Sequence, residues 1–169
     1  MANTVSFKKT GQWQKAGVVL KHTSARLNPA FKAKLYENGD MILERIKGHI
    51  DTQDLPWTPL SQQTIQRKGH DTIYVETGFL RDNLEVRKVK STTYGVTLFV
   101  GASAWKRTPK GVKLSDLMIW LEYGTSRIPP RPLIRPTFEE VEGLIKNEWA
   151  DLLKDIVEGR VQHHSRVFP

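Results

Sequence analysis

The 169-residue sequence contains no cysteine, which excludes disulfide bonds, thiol catalysis and cysteine-ligated zinc. It also lacks long apolar runs. The longest one near the N-terminus, from Ala16 to Leu20, is too short for a signal-peptide core or a membrane span. Because 38% of the residues are hydrophobic and 26% are charged, the composition is that of a folded domain. We therefore expect a soluble, intracellularly made protein of one domain, with no membrane partner.

Acidic residues are missing from two long segments, and the formal net charge of the chain is +8. Residues 1–36 contain seven basic residues and no acid, and residues 86–115 also contain seven basic residues and no acid. Residues 137–158, by contrast, contain seven acids against two lysines. This distribution leaves two interpretations open. Either the positive segments contact nucleic acid, or oppositely charged faces meet between copies of the same chain.

Motifs for catalysis or cofactor binding are absent as well. There is no glycine-rich phosphate loop, no HExxH and no GxSxG. No histidine has a second ligand at helical spacing, and we expect the His163–His164 pair to be an exposed, unliganded pair in a tail. Glu139, Glu140 and Glu142 fall in the first turns of a predicted helix, where they oppose its dipole favourably. We expect no enzyme activity, no cofactor and no metal site.

The N-terminal part of the chain divides at Asn28. Residues 1–27 are basic and lack sustained periodicity, which predicts an arm outside the domain. Asn28–Pro29 is typical of a helix start. Behind it, apolar residues that include Ile46 and Ile50 recur at intervals of four and seven, which predicts a helix of roughly twenty residues. Gly39, inside this helix, indicates either a kink or close packing.

The central part of the sequence has shorter elements. Ser61 and Gly69 are expected to cap and terminate a short helix, and Ile73–Val75 reads as a brief strand. β-rich runs over residues 85–89 and 96–100 predict a hairpin. A further helix is predicted from Ser115 to a glycine-terminated end at Gly124.

An amphipathic run in the C-terminal part predicts a long final helix that opens at Pro136 or Thr137 and stops at Gly159. Residues 160–169 are expected to form a tail. The order of elements predicts one α+β domain over residues 28–159. In this domain a small antiparallel β-sheet packs against a long N-terminal helix and a long C-terminal helix.

A basic loop joins the hairpin to the next helix. Trp105, Lys106 and Arg107, followed by Lys110 and Lys113, combine one aromatic residue with four cations, as single-strand binders do. One aromatic is too few for a stacking platform, and no DNA- or RNA-binding signature accompanies it. A solvated loop, contact with the DNA backbone and contact with a neighbouring subunit all remain open.

The segment LEYGTSRIPPRPLIRP, residues 121–136, is rich in proline, which prevents continuous helix or a central strand. Arg127, Arg131 and Arg135 recur at intervals of four and can bind carboxylates. This arm is either a connector that packs on its own domain or a rigid extension that docks on a neighbour at low ordering cost.

Several short motifs occur together in one order: Trp57–Ser61, Thr64–Ile65, Lys68–Gly69, Glu76–Arg81, Leu121–Thr125 and Arg131–Pro136. This ordered set resembles the tailed-bacteriophage virion morphogenesis proteins, the head–tail connector or tail-completion group. The resemblance covers residues 28–157. Leu133 stands where the family usually has phenylalanine, and the basic N-terminal arm is longer than usual.

The resemblance implies a structural virion protein without a catalytic site. Such a subunit forms a ring, commonly of six copies, around the DNA channel of the phage neck, between the portal side of the capsid and the tail. It implies other neck and tail proteins as partners, contact with the genomic DNA in the channel, and assembly in the cytoplasm of the bacterial host. A freestanding basic DNA-binding accessory protein is the alternative.

Two groups of residues are the expected contact sites of such a subunit. The candidates for a subunit interface are Tyr123, Gly124, Thr125, Arg127, Arg131, Pro132 and Arg135. The candidates for contact with the DNA channel or with a neighbour are Lys106, Arg107, Lys110 and Lys113.

Overall fold

The computed structural model describes residues 13–92, 95–158 and 160. Long helices at both ends of this part enclose shorter helices and one antiparallel hairpin, which confirms the predicted α+β class. The elements of the described residues are α1 (Trp13–Thr52), α2 (Gln62–Lys68), α3 (Phe79–Asp82), β1 (Leu84–Thr92), β2 (Gly95–Ala102), α4 (Leu114–Tyr123) and α5 (Ile134–Val157).

The first helix is much longer than predicted. It begins at Trp13 rather than at Asn28, and Pro29 lies inside it. Residues 13–27 include alanine, leucine, lysine and arginine, which favour helix, so the chain is helical before the proline. The basic charge that suggested an arm carries no information about backbone conformation. The part of the predicted arm before Trp13 lies outside the described residues, as do residues 161–169 of the predicted tail.

The two long helices pack against each other in antiparallel orientation. Phe31, early in α1, meets Trp149, late in α5, with ring centroids 5.2 Å apart in an edge-to-face arrangement. Arg45, late in α1, donates from Nε to Glu140 Oε1, early in α5, at 2.8 Å. The aromatic pair contributes on the order of 1 kcal/mol beyond its buried area.

The hairpin packs on α1 through a glycine. The register pairs the first residue of β1, Leu84, with the last of β2, Ala102. A Cβ built on Gly39 of α1 would lie 2.9 Å from Cγ1 of Val86 in β1. The glycine therefore allows close packing of helix on sheet, the second of the two interpretations offered for it.

The central elements agree with the predictions made from the sequence, except around Ile73. Ser61 caps α2 by accepting from the Thr64 amide, and Gly69 ends the helix at φ 79°, as predicted. The predicted strand at Ile73–Val75 is wrong, because Tyr74 adopts a left-handed φ of 65° that a strand does not permit. The Ile73 backbone pairs instead with the Gln53 side-chain amide, at 2.8 and 3.1 Å.

The last two helices begin earlier than predicted. Lys113 occupies the cap position of α4, so Ser115 lies inside the first turn. The final helix begins at Ile134, which places Pro136 within its first turn, where an amide donor is not needed. Gly159, the predicted stop, lies outside the described residues.

Two glycines of α1 should respond oppositely to alanine. At Gly48 the nearest atom to a new Cβ is Arg45 Nη1 at 3.9 Å, so Gly48→Ala should raise the free energy of unfolding by up to about 1 kcal/mol. Gly39→Ala should lower it, because the stiff Val86 side chain must move. Urea unfolding measures both. Equal stabilisation by the two substitutions would contradict the close packing.

Candidate functional site

The arm predicted from its prolines starts at a carboxylate that caps the next helix. Glu122, in the last turn of α4, is only 9% exposed. Its Oε2 accepts from the amides of Leu133 at 2.7 Å and Ile134 at 3.0 Å, and its Oε1 accepts from the Arg135 amide at 3.1 Å. These amides are the unpaired donors at the start of α5, where a negative charge is favoured. One side chain therefore joins the two ends of the arm.

Arg131 lies inside the subunit, with 5% of its surface exposed. Its Nε donates to the Thr58 carbonyl at 2.7 Å and its Nη2 donates to the Pro59 carbonyl at 3.1 Å. Its backbone amide donates to the Leu121 carbonyl at 2.8 Å. Desolvation lowers the pKa of this guanidinium. The arm is thus tied to the loop that precedes α2.

Two aromatic side chains complete this junction. Trp57 donates from Nε1 to the Pro132 carbonyl at 2.6 Å, and the Tyr74 hydroxyl donates to the Arg131 carbonyl at 2.5 Å. The centroids of the Trp57 and Tyr74 rings are 5.1 Å apart. Burial, together with the charge of Glu122, raises the pKa of Tyr74, so the hydroxyl stays protonated and keeps its role as a donor.

Gly124 makes the turn out of α4. Its φ is 77°, and a Cβ there would lie 2.8 Å from the Ile128 carbonyl oxygen, so an L side chain does not fit without a shift. The Thr125 hydroxyl then accepts from the amides of Arg127 at 3.2 Å and Ile128 at 3.1 Å. The arm is a folded connector with its own hydrogen bonds.

These contacts correct part of the predicted subunit interface. Arg131 cannot reach a neighbour, because its guanidinium is buried on Thr58 and Pro59. Gly124 is needed for the turn out of α4, which accounts for the glycine without an interface. The remaining candidates, Tyr123, Thr125, Arg127, Pro132 and Arg135, are exposed.

The outward face of α4 is apolar, which the sequence reading missed. Ile119 is 54% exposed, Trp120 is 40% exposed and Tyr123 is 75% exposed. These residues lie opposite the helix face of Met118, which is buried. The signal was available in the sequence, because Ile119, Trp120 and Tyr123 recur at helical spacing on the side opposite Leu114 and Met118, with Asp116 as the acid on that side. Among the predicted interface residues, Tyr123 alone belongs to this face.

The basic loop is largely bonded within the subunit. Three of its four predicted cations have a partner: Lys106 donates to Asn83 Oδ1 at 2.6 Å, Arg107 to the Gly111 carbonyl at 2.9 Å, and Lys110 to Glu76 Oε1 at 2.8 Å. Lys113 has no side-chain partner among the described residues. Lys106 and Arg107 bond to neutral oxygens and keep their charge, so only the charge of Lys110 is paired within the part of the chain that the structure describes.

Trp105 remains exposed beside this loop. Its side chain is 70% exposed, and the Arg87 guanidinium carbon lies 4.9 Å from the ring centroid. The same guanidinium lies 5.5 Å from the Phe99 ring. Arg87 thus links the hairpin to the loop by cation–π contacts, each on the order of 0.5–1 kcal/mol at exposed sites.

Within the described part of the chain, no cluster of three histidine or acidic side chains has a metal-binding arrangement. No helix there has the length and apolarity needed to cross a membrane. Comparison with protein-family models, with curated proteins and with solved structures gave no match.

The Glu122 side chain should stabilise the fold much more than an ordinary surface carboxylate does. Glu122→Ala leaves the Leu133 amide buried and unpaired, and we expect a loss of about 2–4 kcal/mol in unfolding free energy. Glu122→Gln should lose less, because its amide oxygen still accepts. Glu139→Ala removes an exposed acid from the same helix; because α5 begins at Ile134, Glu139 lies beyond the first turn, and its loss should change the unfolding free energy by less than about 0.5 kcal/mol. Thermal and urea unfolding test the series, and similar costs for Glu122→Ala and Glu139→Ala would contradict the cap.

Proposed function

We propose that this chain is a structural subunit of a tailed-bacteriophage neck, a head–tail connector or tail-completion protein. Copies close into a ring, with six expected from the resemblance, around the DNA channel between the portal side of the capsid and the tail. The ring belongs to the virion and forms in the cytoplasm of the bacterial host. Neck and tail proteins are its neighbours, and the chain catalyses no reaction.

The exposed face of α4 carries this proposal. Ile119, Trp120 and Tyr123 form an apolar and aromatic surface on one helix, and such surfaces are characteristic of protein–protein contacts. Exposed Thr125 follows in sequence and supplies part of the polar rim. The family motifs support the proposal from a different direction, since they occur in the expected order over one continuous domain.

A closed ring also needs a second, different surface on each subunit, because its contacts are head-to-tail. One flank of α5 fits this requirement. Leu153 is 46% exposed and Val157 is 74% exposed, and their spacing of four residues puts them on the same flank. We assign this flank to contact with the α4 face of the next copy.

The charge pairing between copies that the sequence suggested has a smaller part in this proposal. Glu140 already binds Arg45, Glu148 binds Lys34 and Glu142 binds Lys146, all within one subunit. Apolar contact then supplies most of the association energy, since exposed ion pairs contribute little.

The alternative, a freestanding DNA-binding accessory protein, is favoured by one observation. Exposed Trp105, with Arg87 beside it, offers a single stacking surface for a base. The Lys110–Glu76 pair weakens this alternative, because it removes one cation of the loop from contact with phosphate, whereas Lys106 and Arg107 keep their charge.

Charge placed on the α4 face should prevent self-association. Ile119→Lys puts a cation at a position that is 54% exposed in the subunit and buried in the proposed ring, so native mass spectrometry should detect the monomer. Leu144→Lys is the matched control, since Leu144 is 51% exposed and lies on the other flank of α5. A wild-type chain that is monomeric at all concentrations, or equal effects of the two substitutions, would count against the ring.

DNA binding separates the two candidate functions. A ring subunit should have low affinity for a labelled oligonucleotide, with little change from Trp105→Ala. An accessory factor should bind tightly at low salt, lose affinity steeply as salt rises, and weaken about tenfold with Trp105→Ala. Fluorescence anisotropy over a range of salt concentrations measures both. Lys88→Ala, in the exposed part of the hairpin, is the control for a general effect of charge.

A further inference from the structure

A groove of about 730 Å³ opens between α2, the basic loop, α4 and the arm. This volume lies within the range of roughly 300–1,000 Å³ that is usual for binding sites. Its floor is apolar and includes Leu60, Phe79, Leu117 and Ile128. The motifs that contain Trp57 and Arg131 contribute residues to its lining. The proposed ring contact, between the α4 face and the α5 flank, leaves the groove empty.

The rim of the groove is strongly positive. Four exposed or half-buried cationic side chains line it against one carboxylate, Glu76, among the residues that the structure describes; they are Arg67, Lys68, Lys110 and Arg127. Arg131 also lines the groove, but its buried guanidinium is already bound to the carbonyls of Thr58 and Pro59. Lys110 is paired with Glu76 at 2.8 Å. The other three cations form no ion pair among the described residues, although the charge of Glu76 also acts on Arg67 and Lys68.

Partial burial makes this excess charge costly. Desolvation lowers the pKa of Lys68, and the charges of Arg67 and Arg131 also lower it, while the charges of Glu76 and Asp71 offset part of this effect. Lys68 donates to the Thr72 carbonyl at 2.7 Å, which satisfies one proton of the ammonium but not its charge. A bound carboxylate would supply the missing counter-charge and form charge-assisted hydrogen bonds.

We propose that this groove binds an extended acidic peptide segment of another protein, with an apolar side chain on the floor and carboxylates on the cationic rim. The floor selects a peptide over nucleic acid, because it is largely aliphatic and offers no row of exposed aromatic rings for bases. The cations Arg67 of α2 and Arg127 of the arm both line the groove and position the two flanking carboxylates. The site is separate from the ring contact and does not depend on it.

Charge argues against an occupant from the chain itself. Residues 1–12 contain two lysines and no acid, and residues 161–169 contain one arginine and no acid, so both segments would add positive charge to the groove. The acidic helix of a second copy has much of its charge already engaged, since Glu140 and Glu148 bind cations of their own α1. A separate acidic partner fits the groove better than any of these.

Fluorescence anisotropy on the full chain tests the groove. The probe is a short fluorescein-labelled peptide with aspartates on both sides of a leucine–phenylalanine pair, and the control probe has asparagine at those positions. We expect saturable binding of the acidic probe only. Arg67→Glu combined with Arg127→Glu should weaken it by about tenfold or more. Lys88→Glu combined with Lys90→Glu changes the net charge equally, on exposed β1 positions outside the groove, and should leave binding unchanged.

A variant that should bind the probe more tightly keeps the test valid if the charge-reversed variant does not fold. Glu76→Gln removes the only described carboxylate of the groove and should tighten binding several-fold. No saturable binding, or equal losses in the two charge-reversed variants, would overturn the proposal. Displacement of the probe by an oligonucleotide would reassign the groove to nucleic acid. Probe binding that dissociates an oligomer would reassign it to a second copy.

The two proposals can fail separately. Ile119 does not line the groove, so Ile119→Lys should keep full affinity for the acidic probe while losing self-association. Loss of peptide binding in this variant would mean that the groove forms only in the assembled ring, which would overturn its independence.

Discussion

The start of α5 depends on a carboxylate that belongs to the helix before it. Leu133 at the cap position has no side chain that can accept a hydrogen bond, so the buried amide at this end needs an acceptor from elsewhere. Glu122 supplies it from the last turn of α4. Because the cap spans the whole arm, the position of α5 depends on the exit from α4, and Gly124 sets that exit. The packing of α5 on α1 then follows from where α5 begins.

Most of the ordered sequence motifs converge on this junction or on the groove beside it. Trp57 and Arg131 come from motifs far apart in the chain. Trp57 donates to the carbonyl of Pro132, Arg131 donates to the carbonyl of Thr58, and Gly124 permits the turn from α4 into the arm. These contacts maintain the shape of the domain. The surfaces proposed to contact partners, the outward face of α4 and the cationic groove, lie beside this junction and include motif residues such as Tyr123 and Lys68.

Charge has two separate roles in this molecule. Two acids of α5 are engaged with α1, in the Arg45–Glu140 and Lys34–Glu148 pairs, and they orient the two helices. Around the groove, Lys110 is paired with Glu76, whereas Arg67 and Arg127 form no ion pair among the described residues, so their charge is available to the proposed ligand. The net charge of +8 therefore gives little information about binding until the paired cations are set apart from the unpaired ones.

The sequence by itself determined the α+β class, the α2 caps at Ser61 and Gly69, the hairpin and the final amphipathic helix. These follow from local periodicity and capping, which act over a few residues. Only the tertiary structure decided where the cap of α5 comes from, why Gly39 is a glycine, and that Arg131 points inward. Each of these depends on a contact between segments distant in sequence, and local patterns carry no information about such contacts. The same limit explains why the charge of residues 13–27 suggested an arm where the backbone is helical.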